Sequence, residues 1–431
     1  MNHSDHAVLH VRGKKVNLPI VEGTEGQVGV NIGRLKADGG CVTLDGGFAN
    51  TASVQSAISY VDGEKGILRY RGYNIEDLAN NCLFVEVAYL LVHGELPTAQ
   101  ELQRFSLYLN RHSLIHENMQ HFFNGYPAGS HPMGILASMV TSLSSFYPHL
   151  EHMDPNFDIT AARLISKVRT IAAFSYKKSI GEPWVYPRHD LPYCANFLNM
   201  MFDSPVTPYT IEPVVVETLN KLLILHVDHG QNCSTTAVRL VASARANLYA
   251  AISAGICALW GPLHGGANQA VIEMLQKIKN DRRNVKKYIE MAKSKDNPFR
   301  LMGFGHAVYK NFDPRAKIVK IMVDRMLEQL KITDPLLDIA RELEEHALRD
   351  DYFIERKLYP NIDFYSGIAY RAMGFPTDML TVLFTIGRLP GWIAQWKESM
   401  ESGGAKILRP RQIYIGPTQR AFVPVGERKR R

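Results

Sequence analysis

From Met379 to Gln395 the chain reads MLTVLFTIGRLPGWIAQ, and Arg388 is its only charged residue. A helix that is apolar on nearly all sides is buried. Burying it requires a domain built around it, and the composition supplies one. The chain has 431 residues, of which 46% are hydrophobic and 21% charged, ordinary values for a globular enzyme with a large core. The length suits two to three domains, or one large lobe with a smaller one. A guanidinium inside such a helix is costly unless an anion meets it. No acidic residue lies within the stretch, so the partner comes from elsewhere. It is either a structural Asp or Glu, or a bound carboxylate, to which Arg presents a bidentate fork.

Hydrophobic periodicity sets the rest of the architecture. Residues 1 to about 50 are rich in Gly and Val with little helical period, and predict short strands and loops. Ile58 to Tyr70 reads as a β-hairpin, with two alternating runs around Asp62-Gly63-Glu64-Lys65-Gly66. Beyond Asn74 the pattern turns helical. Glu76–Leu91, Ala99–Asn110, Pro132–Ser145 and Ile159–Tyr176 carry apolar residues at three- and four-residue spacing. Pro213 opens a helix expected to run to His229, with Gly230 as its stop. Lys277 to Asp351 is more charged, which suggests a smaller, more solvated lobe between two apolar blocks. The expected class is mainly α. The expected division is a β-rich segment at 1–50, the first part of a large helical domain at 51–277, a small helical domain at 278–385, and completion of the large domain with a C-terminal arm at 386–431.

The formal net charge is +7, which favours anionic partners. The basic residues are dispersed apart from the terminal ERKRR, and no nucleic-acid-binding motif accompanies them. Cys41, Cys82, Cys194, Cys233 and Cys257 are odd in number and widely spaced, which suits a reducing cytoplasm rather than a disulfide framework or zinc site. The N-terminal residues lack an apolar signal core, and no apolar run approaches membrane-spanning length.

Four segments bring polar chemistry into this apolar frame. GPLHGGAN, Gly261 to Asn268, precedes the helical pattern of Ala270–Ile278. Its glycines let the backbone fold tightly around His264. The positive end of the following helix disfavours imidazolium, so a neutral hydrogen-bond donor is expected, suited to a developing enolate oxygen. A buried, satisfied histidine at a helix entry is the alternative. MGFGHAVYKNFDPRAK, Met302 to Lys317, is loop-like and carries His306 and Arg315, which could bind an anionic carbonyl compound. In YPNIDFYSGIAYRAMG, Asp363 stands just before a short helix. It serves either as a cap or as a carboxylate kept ionised for use as a base. HVDHGQN places His226 and His229 at a helix end, where a hydrogen-bonding role is favoured over a metal, since no third ligand is evident. Arg409 and Arg411 form a second basic pair in LRPRQIY. The absence of a Walker A loop, a GxGxxG after a strand and a GxSxG elbow argues against kinase, dehydrogenase and serine-hydrolase chemistry.

Together LHVDHGQNCSTT, WGPLHGGANQAV, FRLMGFGHAVYKNFDPRA, YPNIDFYSGIAYRAMG and RPRQIYIG resemble citrate synthase, specifically the hexamer-forming bacterial kind, in order from about Phe48 to Arg420. The resemblance implies a two-domain helical fold and an acyltransferase. This enzyme condenses acetyl-CoA with oxaloacetate and water to citrate and CoA through an enol(ate), without a cofactor or metal. His264 matches the histidine that hydrogen-bonds the thioester carbonyl, and Asp363 the base that takes the methyl proton. His306 matches the histidine that polarises the oxaloacetate ketone. His229, Arg315 and Arg388 match oxaloacetate ligands, and Arg409 one supplied by the neighbouring subunit. Lys310 and Asn361 fall where the family's CoA lies. Arg111, His112, Tyr147, Arg163 and Lys167 match the family's inhibitory NADH site, while Ser113 and Val206 depart from it. Ala307 departs from the Arg usual in bacterial members. A homodimer as active unit, and a trimer of dimers, are implied. The same residues would serve 2-methylcitrate synthase acting on propionyl-CoA. A non-catalytic paralogue binding di- or tricarboxylates is the reading outside enzyme chemistry, and the intact His264, His306 and Asp363 argue against it.

Overall fold

A computed structural model describes residues 6–148, 157–294, 299–306, 308–402 and 406–428; Ala307 and the last three residues of ERKRR lie outside them. The chain separates into two compact units, residues 1–55 with 408–431, and residues 56–407. In the first, strands His6–Val11, Lys14–Glu22 and Val28–Val30 form an antiparallel sheet. Val16, Leu18 and Leu35 make its small core. The expected β-rich start is therefore present, with one short helix, Leu35–Gly39.

The second unit is helical apart from a small sheet. Ser59–Asp62 pairs antiparallel with Ile67–Tyr70, the predicted hairpin, and Tyr73–Asn74 adds a third strand. Around it the helices assemble on one central element, Leu380–Glu401, whose residues from Leu380 to Trp396 are all buried. Helices Phe84–His93, Phe157–Ile180, Pro213–Leu225, Cys233–Ser243 and Leu248–Leu259 pack against it, as its apolar surface demands. Among the described residues no helix is long and apolar enough to cross a membrane.

Two helical expectations are corrected. The run from Glu76 to Leu91 is two helices, Ile75–Asn81 and Phe84–His93. Between them Asn220 clasps the chain, its side chain accepting from the Phe84 N–H at 2.7 Å and donating to the Cys82 carbonyl at 3.1 Å. The helix from Pro213 ends at Leu225 rather than His229. The reason is the central helix. A Cβ on Gly391 would lie 2.0 Å from the Val227 carbonyl oxygen, and one on Gly387 would lie 3.0 Å from the His226 Cβ. These two glycines, one turn apart on one face, open a groove into which residues 226–228 press. The chain leaves the helical path to fill it.

Candidate active site

That groove places the first group of polar residues. The His226 carbonyl accepts from Arg388 Nε at 2.6 Å. The buried Asp228 carboxylate is the principal anion acting on Arg388. Burial pushes Arg388 down to about 10 in spite of it, and Nη1 of Arg388 is buried without a hydrogen-bond partner. An orphaned guanidinium N–H inside a protein is costly, so this one is available to an incoming anion. His226 is fully buried, with Nδ1 on the Leu222 carbonyl at 2.7 Å. His229 turns the other way, and its Nε2 meets the Tyr309 hydroxyl at 3.1 Å.

The second group comes from two loops that pair. Phe304 and Pro360 form an isolated antiparallel bridge. Gly305 N–H donates to the Tyr359 carbonyl at 2.8 Å, and Asn361 N–H to the Gly303 carbonyl at 2.9 Å. The bridge brings the loop of His306 beside the start of helix Ile362–Ala372, which carries Asp363. Asn361, not Asp363, is the cap: its side-chain oxygen accepts from Asp363 N–H at 2.9 Å while its amide donates to the Gly305 carbonyl at 2.8 Å. Arg315 is held by Asp313 in a bidentate pair, both contacts 2.9 Å. The Asp313 carboxylate also accepts the Ile362 N–H at 3.1 Å. One buried carboxylate thus links Arg315 to the residue preceding Asp363. Sequence reading passed over Asp313 because an Asp before Pro at a helix start looks like a cap, which it also is.

The protonation states follow from these contacts. His306 Nδ1 accepts the N–H groups of Val308 at 3.0 Å and Tyr309 at 3.3 Å. Backbone N–H only donates, so the ring proton is on Nε2. His264 is held in the turn before helix Ala267–Asn280, and its Nε2 accepts the Ser234 N–H at 3.3 Å. Its proton is therefore on Nδ1. Burial, with Arg388 nearby, pushes His264 down to about 4. Burial and Arg315 do the same for His306, also about 4. Both rings are neutral donors at neutral pH. Asp363 moves the other way. Its place in the first helical turn favours ionisation, but burial outweighs this and the pull of Arg315 and Arg388, lifting its pKa to about 6. No described residue donates a hydrogen bond to its carboxylate. A poorly solvated carboxylate, still mostly ionised at pH 7, is a stronger base than one in water.

The two arginines tie these groups together, Arg315 acting on His306 and Asp363, and Arg388 on His264 and Asp363. The rings of His229 and His306 are 5.2 Å apart, and the Tyr309 ring lies edge-on to the first at 5.3 Å and tilted against the second at 4.9 Å. Phe384 lies 6.3 Å from the His264 ring and 4.8 Å from the Arg388 guanidinium. Lys310 is exposed on the His306 loop, and Arg409 is exposed in the other unit. Away from this cluster, the Arg163 guanidinium lies 4.3 Å over the Tyr147 ring, and the Lys167 ammonium lies 5.3 Å from it and bonds the Leu114 carbonyl. Burial, then Arg163, Lys167 and Arg111, lowers His112, so the structure gathers all five residues of that set. Tyr249 also lies beside Arg163 and Tyr147 in this cluster, a neighbour that sequence reading missed.

Two fixed neutral N–H donors, a desolvated carboxylate and arginines for an anionic partner define a class. It is the enzymes that enolise one carbonyl compound and join it to another. The comparisons specify the family. A family model, citrate synthase C-terminal domain, matches residues 47–411. Citrate synthase 1 of Mycobacterium tuberculosis (strain CDC 1551 / Oshkosh) is 53% identical over 426 residues, covering 98% of this chain and 99% of that protein. The citrate synthase of Corynebacterium glutamicum is 51% identical over 428 residues, covering 99% and 98%. Among solved structures, the ternary complex of Thermoplasma acidophilum citrate synthase with carboxymethyl coenzyme A and oxaloacetate superposes with a TM-score of 0.82. It is 32% identical, over 90% of this chain and all of that one. The Pyrobaculum aerophilum citrate synthase gives 0.79, at 35% identity over 95% and 97%. The chain belongs to the citrate synthase family. Its activity is that family's condensation of acetyl-CoA with oxaloacetate to citrate, an acyl transfer.

Proposed function

We propose that His264, His306 and Asp363 carry the chemistry of this condensation. The observation behind the assignment is the pairing of two imidazoles, each locked by backbone N–H groups as a neutral donor, with one carboxylate lifted to about 6. Asp363 takes a proton from the acetyl methyl group. The thioester oxygen gains charge as it does so, and His264 Nδ1–H donates to it. The enol carbon attacks the ketone of oxaloacetate, whose oxygen is polarised by His306 Nε2–H. The resulting thioester is hydrolysed by water to citrate and CoA. His229, Arg315 and Arg388 hold the oxaloacetate carboxylates and the ketone end. Asp313 keeps Arg315 in the orientation that leaves its remaining N–H groups for substrate.

The CoA chain lies over the His264 and His306 loops, with Lys310 offering charge to its phosphates. Asn361 acts through the loop it clasps, since both ends of its amide are engaged. Residues 278–385 form the small lobe that closes over the substrates and excludes water. The active unit is a homodimer in which Arg409 completes the partner's site, assembled as a trimer of dimers in a reducing cytoplasm. The Arg111, His112, Arg163 and Lys167 cluster suits a polyanion, and NADH is the ligand the family resemblance favours. The departures at Ser113 and Val206 make inhibition weaker than in members with the full set.

A thiol-release assay tests the reading. Release with acetyl-CoA requires oxaloacetate and exceeds release with propionyl-CoA. Equal or faster turnover of propionyl-CoA contradicts the substrate assignment. One methylene in an apolar pocket shifts that preference by about 1–3 kcal/mol.

A further inference from the structure

The small hairpin Ser59–Tyr70 touches both loops of the oxaloacetate site, one at each of its ends. At its base, Ser59 Oγ donates to the Asp228 carboxylate at 2.5 Å and accepts Gly230 N–H at 3.0 Å. Beside it the Tyr70 hydroxyl donates to the Asp228 carbonyl at 3.1 Å. His229 lies between the two residues so held. At the tip, the Gly63 carbonyl accepts Lys310 N–H at 2.9 Å, and the Glu64 carbonyl accepts from the Asn311 amide at 3.4 Å. There the backbones are in direct contact. A Cβ on Gly63 would stand 2.1 Å from the Val308 carbonyl oxygen, and one on Gly66 2.8 Å from that of Phe312. Val308 is the residue whose N–H fixes the His306 tautomer. The Val308 carbonyl shares its peptide with the Tyr309 N–H, which also donates to His306 Nδ1 at 3.3 Å, so any side chain at 63 pushes on a peptide that holds the ring.

We propose that this hairpin is a bracket that sets the position of His306 relative to His229, with Gly63 and Ser59 as positioning residues for the polarisation of the ketone. The inference rests on the site reading above. The hairpin acts by holding two loops from distant parts of the chain at one spacing, 5.2 Å between the imidazoles. Hydrogen-bond polarisation depends steeply on that geometry, since a misplacement of about 1 Å costs on the order of a hundredfold in rate. Gly63 is required because the loop backbone occupies the space of a side chain.

The test uses the full-length enzyme, with Gly63→Ala, Ser59→Ala and Lys65→Ala. Lys65 is on the same turn with its side chain 72% exposed on an ion pair to Asp62, and its removal leaves turnover unchanged. The readouts are kcat, KM for each substrate, and the infrared stretch of the ketone in bound oxaloacetate, which moves to lower frequency as the bond is polarised. Gly63→Ala is expected to fold, to lose about a hundredfold in kcat, and to return the ketone stretch toward its value in water. Ser59→Ala is expected to raise KM for oxaloacetate while leaving that for acetyl-CoA alone. If Gly63→Ala does not fold, Ser59→Ala with its KM split decides. Folded variants with the parent's ketone stretch and kinetics within about twofold overturn the bracket. An active Asp363→Asn enzyme would instead overturn the site reading, so the two failures are distinguishable.

Discussion

Asp363 and Arg388 show how burial sets the chemistry of single residues. A carboxylate lifted to about 6 by desolvation predicts an acid limb. As pH falls through 6 the base takes up its proton, and only the ionised form can accept one from the substrate. A plot of log kcat/KM for acetyl-CoA against pH should therefore fall with unit slope below about 6. The histidines, at about 4, add nothing until far lower pH. A profile flat down to pH 5 would contradict the assignment. Arg388 is buried with an unpartnered Nη1. Arg388→Leu removes a buried charge, but also the cation beside Asp228 and the donor to the His226 carbonyl, so the variant should fold with a lowered denaturation midpoint. It should lose oxaloacetate affinity strongly and CoA affinity much less. Calorimetry showing unchanged oxaloacetate binding would make the guanidinium a structural partner of Asp228 alone.

Among the elements, the central helix does most to place the site, because its two small residues admit the 226–228 segment. Gly391→Ala would drive a methyl into the Val227 carbonyl, 2.0 Å away. Overpacking of this kind costs about 1–3 kcal/mol. The denaturation midpoint should fall, and KM for oxaloacetate should rise because His229 shifts with its segment; an unchanged midpoint and KM would contradict the groove. The Leu380–Glu401 helix was legible in the sequence because a nearly unbroken apolar run has only one environment. The hairpin was legible from its alternation and its glycine turn. What stayed hidden depended on distant residues. The helix from Pro213 keeps its apolar period to Val227, and only the glycines of another helix explain its stop at Leu225. The cap of the Asp363 helix is Asn361, which local pattern cannot separate from Asp363 itself. Asp313, Ser234 and Tyr309 carry no motif signal beyond their neighbours, and their roles are visible only when two loops meet. His264, His306, Asp363, Arg315 and Arg388 were legible individually as unusual polar residues in apolar or glycine-rich settings. Their assembly was legible only through the family resemblance.

At the scale of the whole molecule, residues 408–431 belong to a different compact unit from the site of residues 56–407, and Arg409 is the one proposed ligand outside the site's unit. Completion in trans makes a sharp prediction. Arg409→Ala and Asp363→Ala chains are each nearly inactive alone. In a mixed dimer one site carries both lesions and the other neither, so activity returns to about half per dimer. Hetero-dimers that form without recovering activity would confine Arg409 to its own chain's site, or to none. The proposed condensation chemistry depends first on Asp363 as the base, and turnover of Asp363→Asn tests it most directly. The substitution keeps size, and the cations proposed to hold oxaloacetate remain. Oxaloacetate should bind as in the parent while kcat for citrate formation falls by several orders of magnitude. An Asn variant that binds oxaloacetate normally and turns over within about tenfold of the parent would contradict the account, since a positioned base contributes more than that.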